Sequence, residues 1–175
     1  FRQLLQEKNR THYPVHIKYN TGLNRVGFPP EKVDWVLAQF EDQRFELKSV
    51  YSHLSAAEAH KETPLSKTQI QGFLKLKAQH QASLTSKPLF HLLNSSGVFN
   101  YPEYQFDAVR CGIALHGFAN RLEWDEQLKP IAEFTSTIRH IHQVKKGDFV
   151  GYDHGWEAPQ DSVIATLPIG HADGI

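Results

Sequence analysis

Apolar residues along the chain fall in short runs whose period keeps changing. Residues 2–9 read as the last turns of a helix. Val15, Ile17 and Tyr19 alternate with His16 and Lys18, which predicts a strand over 14–19 that empties into a loop at Thr21-Gly22. Pro29-Pro30 then opens a helix to about residue 41, with Val33, Val36, Leu37 and Phe40 on one face. A second strand is predicted from Phe45 to Leu54. An amphipathic helix follows from Ser66 to about His80, with Ile70, Phe73, Leu74 and Leu76 inward. Pro88 to Leu93 reads as a third strand ending at Asn94-Ser95-Ser96-Gly97, and Ala108 to Leu115 as a fourth. Alternation of short apolar strands with helices predicts parallel βα units, as in a (β/α) barrel or a doubly wound sheet.

The helical period is lost after about residue 125. Phe134 to Val144 alternates, Lys145-Lys146-Gly147-Asp148 turns, Phe149 to Tyr152 restarts, and Ser162 to Ile169 is another β run. The expected organisation is therefore residues 1–125 as part of a barrel and 126–175 as the opening of a β-rich domain.

Polar groups collect where the predicted strands end: Lys18 and Arg25 after the first, His53 at the second, Asn94-Ser95 at the third. In a barrel those ends share the face on which active sites are built. Taken alone, Lys18 and Arg25 read either as a solvated loop or as one wall of an anion site, since a guanidinium offers paired donors to carboxylate or phosphate. Arg110 stands inside an apolar run, so it needs a specific partner.

Composition adds boundaries rather than chemistry. The chain has 175 residues, 40% of them hydrophobic, and 19 basic side chains balance 19 acidic ones. That balance gives no field to draw it to nucleic acid, and no apolar run has the length of a membrane span. The lone Cys111 excludes an internal disulfide and fits a reducing, cytoplasmic compartment. The chain has no methionine, opens inside a helical pattern and stops at a glycine-rich turn, so it is expected to be an internal piece of a longer protein.

Six segments in order carry a resemblance. His16-Ile17-Lys18 through Asn24-Arg25-Val26-Gly27 resembles the alanine racemase motif H-L-K-x-D-T-G-M-x-R-x-G. Ser52-His53-Leu54, Asn94-Ser95-Ser96, Val109 to Leu115, Gly151-Tyr152 and Pro168 to Gly174 follow with that family's spacing. The resemblance implies a pyridoxal-phosphate (PLP) enzyme with an eight-stranded barrel and a β domain, acting on an amino acid. It also implies a homodimer whose active sites are shared between subunits. The chain would then hold the second half of the barrel and the start of the β domain of an enzyme that makes D-alanine for peptidoglycan.

Residue by residue, Tyr152 resembles the tyrosine that removes the α-proton of L-alanine across the dimer interface. His53 resembles the histidine linking that tyrosine to an arginine, and Arg110 resembles that arginine, facing the PLP ring nitrogen. Asn94, Ser95, Gly112 and Ile113 resemble the phosphate cradle. Arg25 resembles the arginine that supports the substrate carboxylate, and Lys18 a lysine carbamylated in many relatives.

Four positions depart from the family pattern. His171 and His116 stand where relatives usually carry tyrosine, Asn20 replaces an aspartate, and Leu23 a methionine. His171, at the substrate entry, leaves a broader amino-acid racemase open, as does a racemase domain fused to a cell-wall ligase. None of the lysines sits in a context like the family's PLP-binding motif A-V-V-K-A-N-A-Y-G-H-G, so the chain alone is expected to be inactive. Two other classes compete with this reading. A non-catalytic PLP-binding barrel would lack the β-rich tail. A metal protein is prompted by eleven histidines, yet beyond His140 and His142 no ligand pattern completes a site.

Overall fold

The computed structural model describes residues 1–41, 44–59 and 62–174. They divide into two compact units, Phe1–Ile131 and the residues from Ala132 onward. The first unit contains α1 (Arg2–Glu7), β1 (Tyr13–Lys18), α2 (Val33–Ala38), β2 (Phe45–Tyr51), α3 (Pro64–Ser83), β3 (Leu89–His91), α4 (Ser95–Asn100) and α5 (Leu122–Asp125). The strands form a parallel sheet in the order β1-β2-β3, so each strand–helix–strand passage is a βα unit and the sheet is an arc of an α/β barrel.

The register of β1 on β2 carries a bulge. Val15 pairs with Leu47 but His16 pairs with Ser49, leaving Lys48 as the extra residue.

Helix α3 starts where Thr63 accepts a hydrogen bond from Ser66 N, with Pro64 in the first turn, and so begins two residues before the predicted point. Its Ile70, Phe73 and Leu76 join Val33, Val36, Leu47, Val50, Phe90, Leu92 and Leu93 in the core, while Leu37, Phe40 and Leu74 pack around it. His80 and Tyr19 are fully buried in this layer as a polar pair. The His80 Nδ1–H donates to Leu76 O (2.9 Å), and Nε2 lies 3.3 Å from the Tyr19 hydroxyl.

The predicted fourth strand is not formed. Residues 108–115 contribute a single parallel bridge, Asn94 to Arg110, and then turn into a 3-10 helix, Ile113–His116. The cause is local. Ser95 Oγ accepts from both Gly112 N (2.9 Å) and Ala114 N (3.3 Å), which curls the backbone away from a ladder. The turn then ends at Gly117, whose φ of +85° and close approach to Pro130 (a Cβ would lie 2.3 Å from its Cα) only glycine accommodates. Trp124 of α5 stacks on Phe99 at 5.1 Å.

The second unit is β-rich, with β4 (His140–Val144) antiparallel to β7 (Ser162–Thr166) and β5 (Phe149–Val150) to β6 (Trp156–Glu157). The predicted run from Phe134 becomes a strand only at His140. Asp148 ties the intervening turn by accepting from Lys145 N at 2.7 Å. No described helix is long and apolar enough to cross a membrane.

Candidate active site

The carboxyl ends of β1, β2 and β3 converge on Arg110. Its backbone N–H donates to Leu93 O (2.9 Å), which fixes the side chain beneath the strand ends. Nη2 donates to Ser52 O (2.6 Å) and Leu92 O (2.9 Å) and lies 3.2 Å from His53 Nδ1. Nη1 donates to His91 O (3.2 Å) and lies 2.6 Å from His91 Nδ1. The guanidinium also lies 5.1 Å from the Tyr51 ring centre. Both terminal nitrogens are thus fully engaged, and among the described residues nothing accepts from Nε.

These contacts fix the neighbouring imidazoles. A guanidinium only donates, so Nδ1 of His53 and of His91 must both accept, and each neutral ring carries its proton on Nε2. Burial, followed by the charge of Arg110, pushes His53 below the ordinary histidine value, with Arg25 and Lys18 adding to the effect. His91 is pushed down to about 4 by burial, then by Arg110 and His16.

Lys18 closes β1, and the loop behind it folds back on itself. Phe28 N donates to Lys18 O (2.9 Å) and Asn20 N to Phe28 O (2.8 Å). Asn20 Oδ1 accepts from Gly22 N (3.2 Å) and Asn24 N (2.9 Å), so the amide at this position organises the loop. Gly27, at φ +129°, lies so near the chain that a Cβ would sit 2.9 Å from Lys18 O. The closed loop sets the exposed Arg25 near Lys18. Burial, then Arg25, then Arg110 depress the Lys18 amine from its usual range.

At the end of β3, the Asn94 side chain caps α4 by accepting from Gly97 N (2.9 Å). Ser95 is buried and its oxygen already accepts twice, so its hydroxyl hydrogen is free to donate. The Gly112 N–H is used on Ser95, whereas the Ile113 N–H has no acceptor among the described residues. His116 lies exposed at the end of the same 3-10 turn.

In the second unit, Tyr152 is fully exposed and opens a 3-10 turn rather than continuing β5. Gly151, Asp153 and His154 around it all have positive φ (87°, 52° and 53°), a strained setting for two non-glycine residues. His171 is exposed on a turn that Asp173 braces by accepting from Gly170 N at 3.0 Å. His140 and His142 stack side by side on β4, 5.5 Å apart. Among the described residues, no three metal-ligating side chains gather.

Sequence reasoning passed over a polar chain behind Arg110. His91 Nε2 lies 2.9 Å from Ser49 Oγ, and Ser49 Oγ lies 2.7 Å from His16 Nδ1, while Tyr51 stacks on His91 at 4.9 Å. The signal was there in the alternation. Ser49 is a polar residue at a buried strand position where an apolar side chain would ordinarily sit, and it lies between His16 and His91 on the flanking strands.

A cationic cluster at parallel strand ends, ahead of a separate antiparallel unit, places the chain among proteins that join an α/β barrel to a β domain. Residues 1–120 match the family profile "Alanine racemase, N-terminal domain", and residues 131–175 match "Alanine racemase, C-terminal domain". The chain belongs to the alanine racemase family. It is 34% identical over 166 residues to an alanine racemase from Treponema denticola, covering 92% of this chain and 44% of that protein. The structure of alanine racemase from Acinetobacter baumannii superimposes with a TM-score of 0.78 at 32% identity, covering 92% of this chain and 44% of the other. That from the D-cycloserine producer Streptomyces lavendulae gives 0.80 at 25%, covering 99% and 47%. The chain thus spans less than half the length of these relatives.

Proposed function

We propose that this chain is part of a cytoplasmic, PLP-dependent alanine racemase that interconverts L- and D-alanine for peptidoglycan synthesis. Its first unit would be the second half of the barrel, and its second unit the opening of the C-terminal β domain. The observation that carries the reading is Arg110. Both terminal nitrogens are consumed by carbonyls and imidazoles, and Nε is the one donor left for a ring nitrogen. The free Ser95 hydroxyl and Ile113 N–H fit a phosphate nearby. The residues present therefore fit the cofactor.

When bound, the cofactor supplies the electron-withdrawing ring that acidifies the substrate α-proton. Arg110 would hold the ring nitrogen through Nε without giving up its proton, which would leave that nitrogen unprotonated and favour proton exchange over side reactions. Asn94 positions Ser95 by capping α4, and the Ser95 hydroxyl and the Ile113 N–H would hold the phosphate, with Gly112, whose own N–H is taken by Ser95, shaping the turn of the cradle between them. Arg25 takes the substrate carboxylate, and Lys18, as a carbamate, orients Arg25. Tyr152, supplied across a homodimer interface, removes the α-proton of L-alanine. The Nε2–H of His53 is the donor that favours its phenolate. His171 lines the substrate entry.

The test is racemisation by the full-length protein loaded with PLP, assayed with alanine, serine and lysine. Alanine turnover well above the other two supports the reading. Equal turnover of all three points to a broad-specificity racemase, and no turnover of any rejects the proposal.

A further inference from the structure

Helix α3 carries a buried polar side chain that the chemistry above does not use. Gln69 is fully buried, and its hydrogen bonds all run to the backbone and side chain just beyond β2. Its Nε2 donates to His53 O (3.0 Å), while its Oε1 accepts from Ser55 N (3.0 Å) and Ser55 Oγ (2.9 Å). The stem of the same side chain supports the loop behind β1. A Cβ on Gly22 would lie 3.2 Å from Gln69 Cγ, so that loop rests directly on it, with Gly22 at φ +138°. On the other side the two segments meet again. Ser52 Oγ donates to Tyr19 O (2.8 Å) and accepts from Thr21 Oγ1 (2.7 Å).

An amide in a core is costly unless its hydrogen bonds are met, and an apolar side chain would fill the same space at no such cost. Here the cost is met only by atoms of residues 53–55. We propose that Gln69 is a positioning residue that locks the loop carrying Arg25 to the segment carrying His53, and so sets the aim of the His53 ring. Arg110 grips this segment at Ser52 O, and Gln69 grips it at His53 O and Ser55. The ring is thereby held from both ends. Without Gln69, the carbonyl next to the ring loses its donor and the segment pivots about the Arg110 contact.

The kinetic arm of the test rests on the racemase reading, whereas the spectroscopic arm does not. In the full-length, PLP-loaded protein, Q69M keeps the stem and removes all three hydrogen bonds. The expected result is a kcat for alanine lowered by about tenfold with KM within about twofold, because misaimed groups cost turnover more than binding. The 15N resonances of the His53 ring should move or broaden while those of the distant buried His80 stay in place. S55A, which keeps the bond to His53 O, should give the same displacement of the His53 signals at smaller size, and it serves where Q69M fails to fold. His53 signals unchanged in either variant overturn the proposal. Equal disturbance at His53 and His80 also overturns it, since that marks general loosening. If the unmodified protein racemises nothing, the functional reading falls, and the His53 signals alone decide the role of Gln69.

Discussion

Arg110 Nη2 lies 3.2 Å from His53 Nδ1, and since the guanidinium can only donate, the histidine must accept there. The contact makes His53 a neutral ring with its proton on the far nitrogen, where it is available to a second partner. Nitrogen-15 NMR of the full-length protein at pH 7 should show the Nε2–H tautomer for His53. A doubly protonated or Nδ1–H ring would refute this geometry.

Arg110→Lys should cost both stability and turnover. A lysine ammonium cannot span Ser52 O, Leu92 O and His91 O together, so buried carbonyls lose donors at ~1–3 kcal/mol each. A urea midpoint unchanged from the parent would show that the fork is not what holds these strand ends.

Lys18 is held below the usual amine range by burial and by the charges of Arg25 and Arg110. More of it is therefore free amine at neutral pH, the form that attacks carbon dioxide. Equilibration with 13C-bicarbonate should give a carbamate carbon signal in the full-length protein, absent in K18A. Arg25→Leu should weaken that signal, because a carbamate next to a cation is favoured. A spectrum identical in K18A and parent would remove Lys18 as the site.

Acid should destabilise the fold through histidine. His91 is pushed from the ordinary 6.5 down to about 4, so between these values the unfolded chain binds more protons than the folded one. Its contribution is complete above about pH 6.5 and is lost as pH falls towards 4. His53 and His80 are shifted the same way and steepen the slope. Urea midpoints should fall between pH 7.5 and pH 4.5, and less so in His91→Gln. A midpoint that rises on acidification contradicts this assignment.

The purified 175-residue chain should not racemise alanine, since none of its lysines lies in the context expected of a PLP-binding lysine. Turnover above the uncatalysed background, measured with a coupled D-alanine assay, would refute this.

The parallel arc was legible because Val15-Ile17, Val33-Val36-Leu37 and Ile70-Phe73-Leu76 each hold one clear period. Residues 108–115 misled for a reason that a run of apolar letters cannot show. Whether such a run ladders depends on what caps its amides, and Ser95 takes two of them. Lys18 and His53 stood out at predicted strand ends and Arg110 as a charge inside an apolar run, and their mutual influence is visible in the depressed Lys18 and His53. Gln69 did not, because on a helix face its spacing matched the apolar set and nothing local betrayed a long-range bond.

The bulge at Lys48 decides which face each later residue of β2 takes. Side chains alternate faces along a strand, so if Lys48 entered the ladder opposite His16 while the early pairing stayed, everything downstream would invert. Ser49, Tyr51 and His53 would turn to the helix side, and Val50, Ser52 and Leu54 to the side of Arg110. A slip of one residue far from any reacting atom would thus exchange a hydrogen-bonding wall for an aliphatic one. Removing Lys48 itself would leave Val15 opposite Leu47 and His16 opposite Ser49, so of all changes of length in this strand it is the one the pairing tolerates.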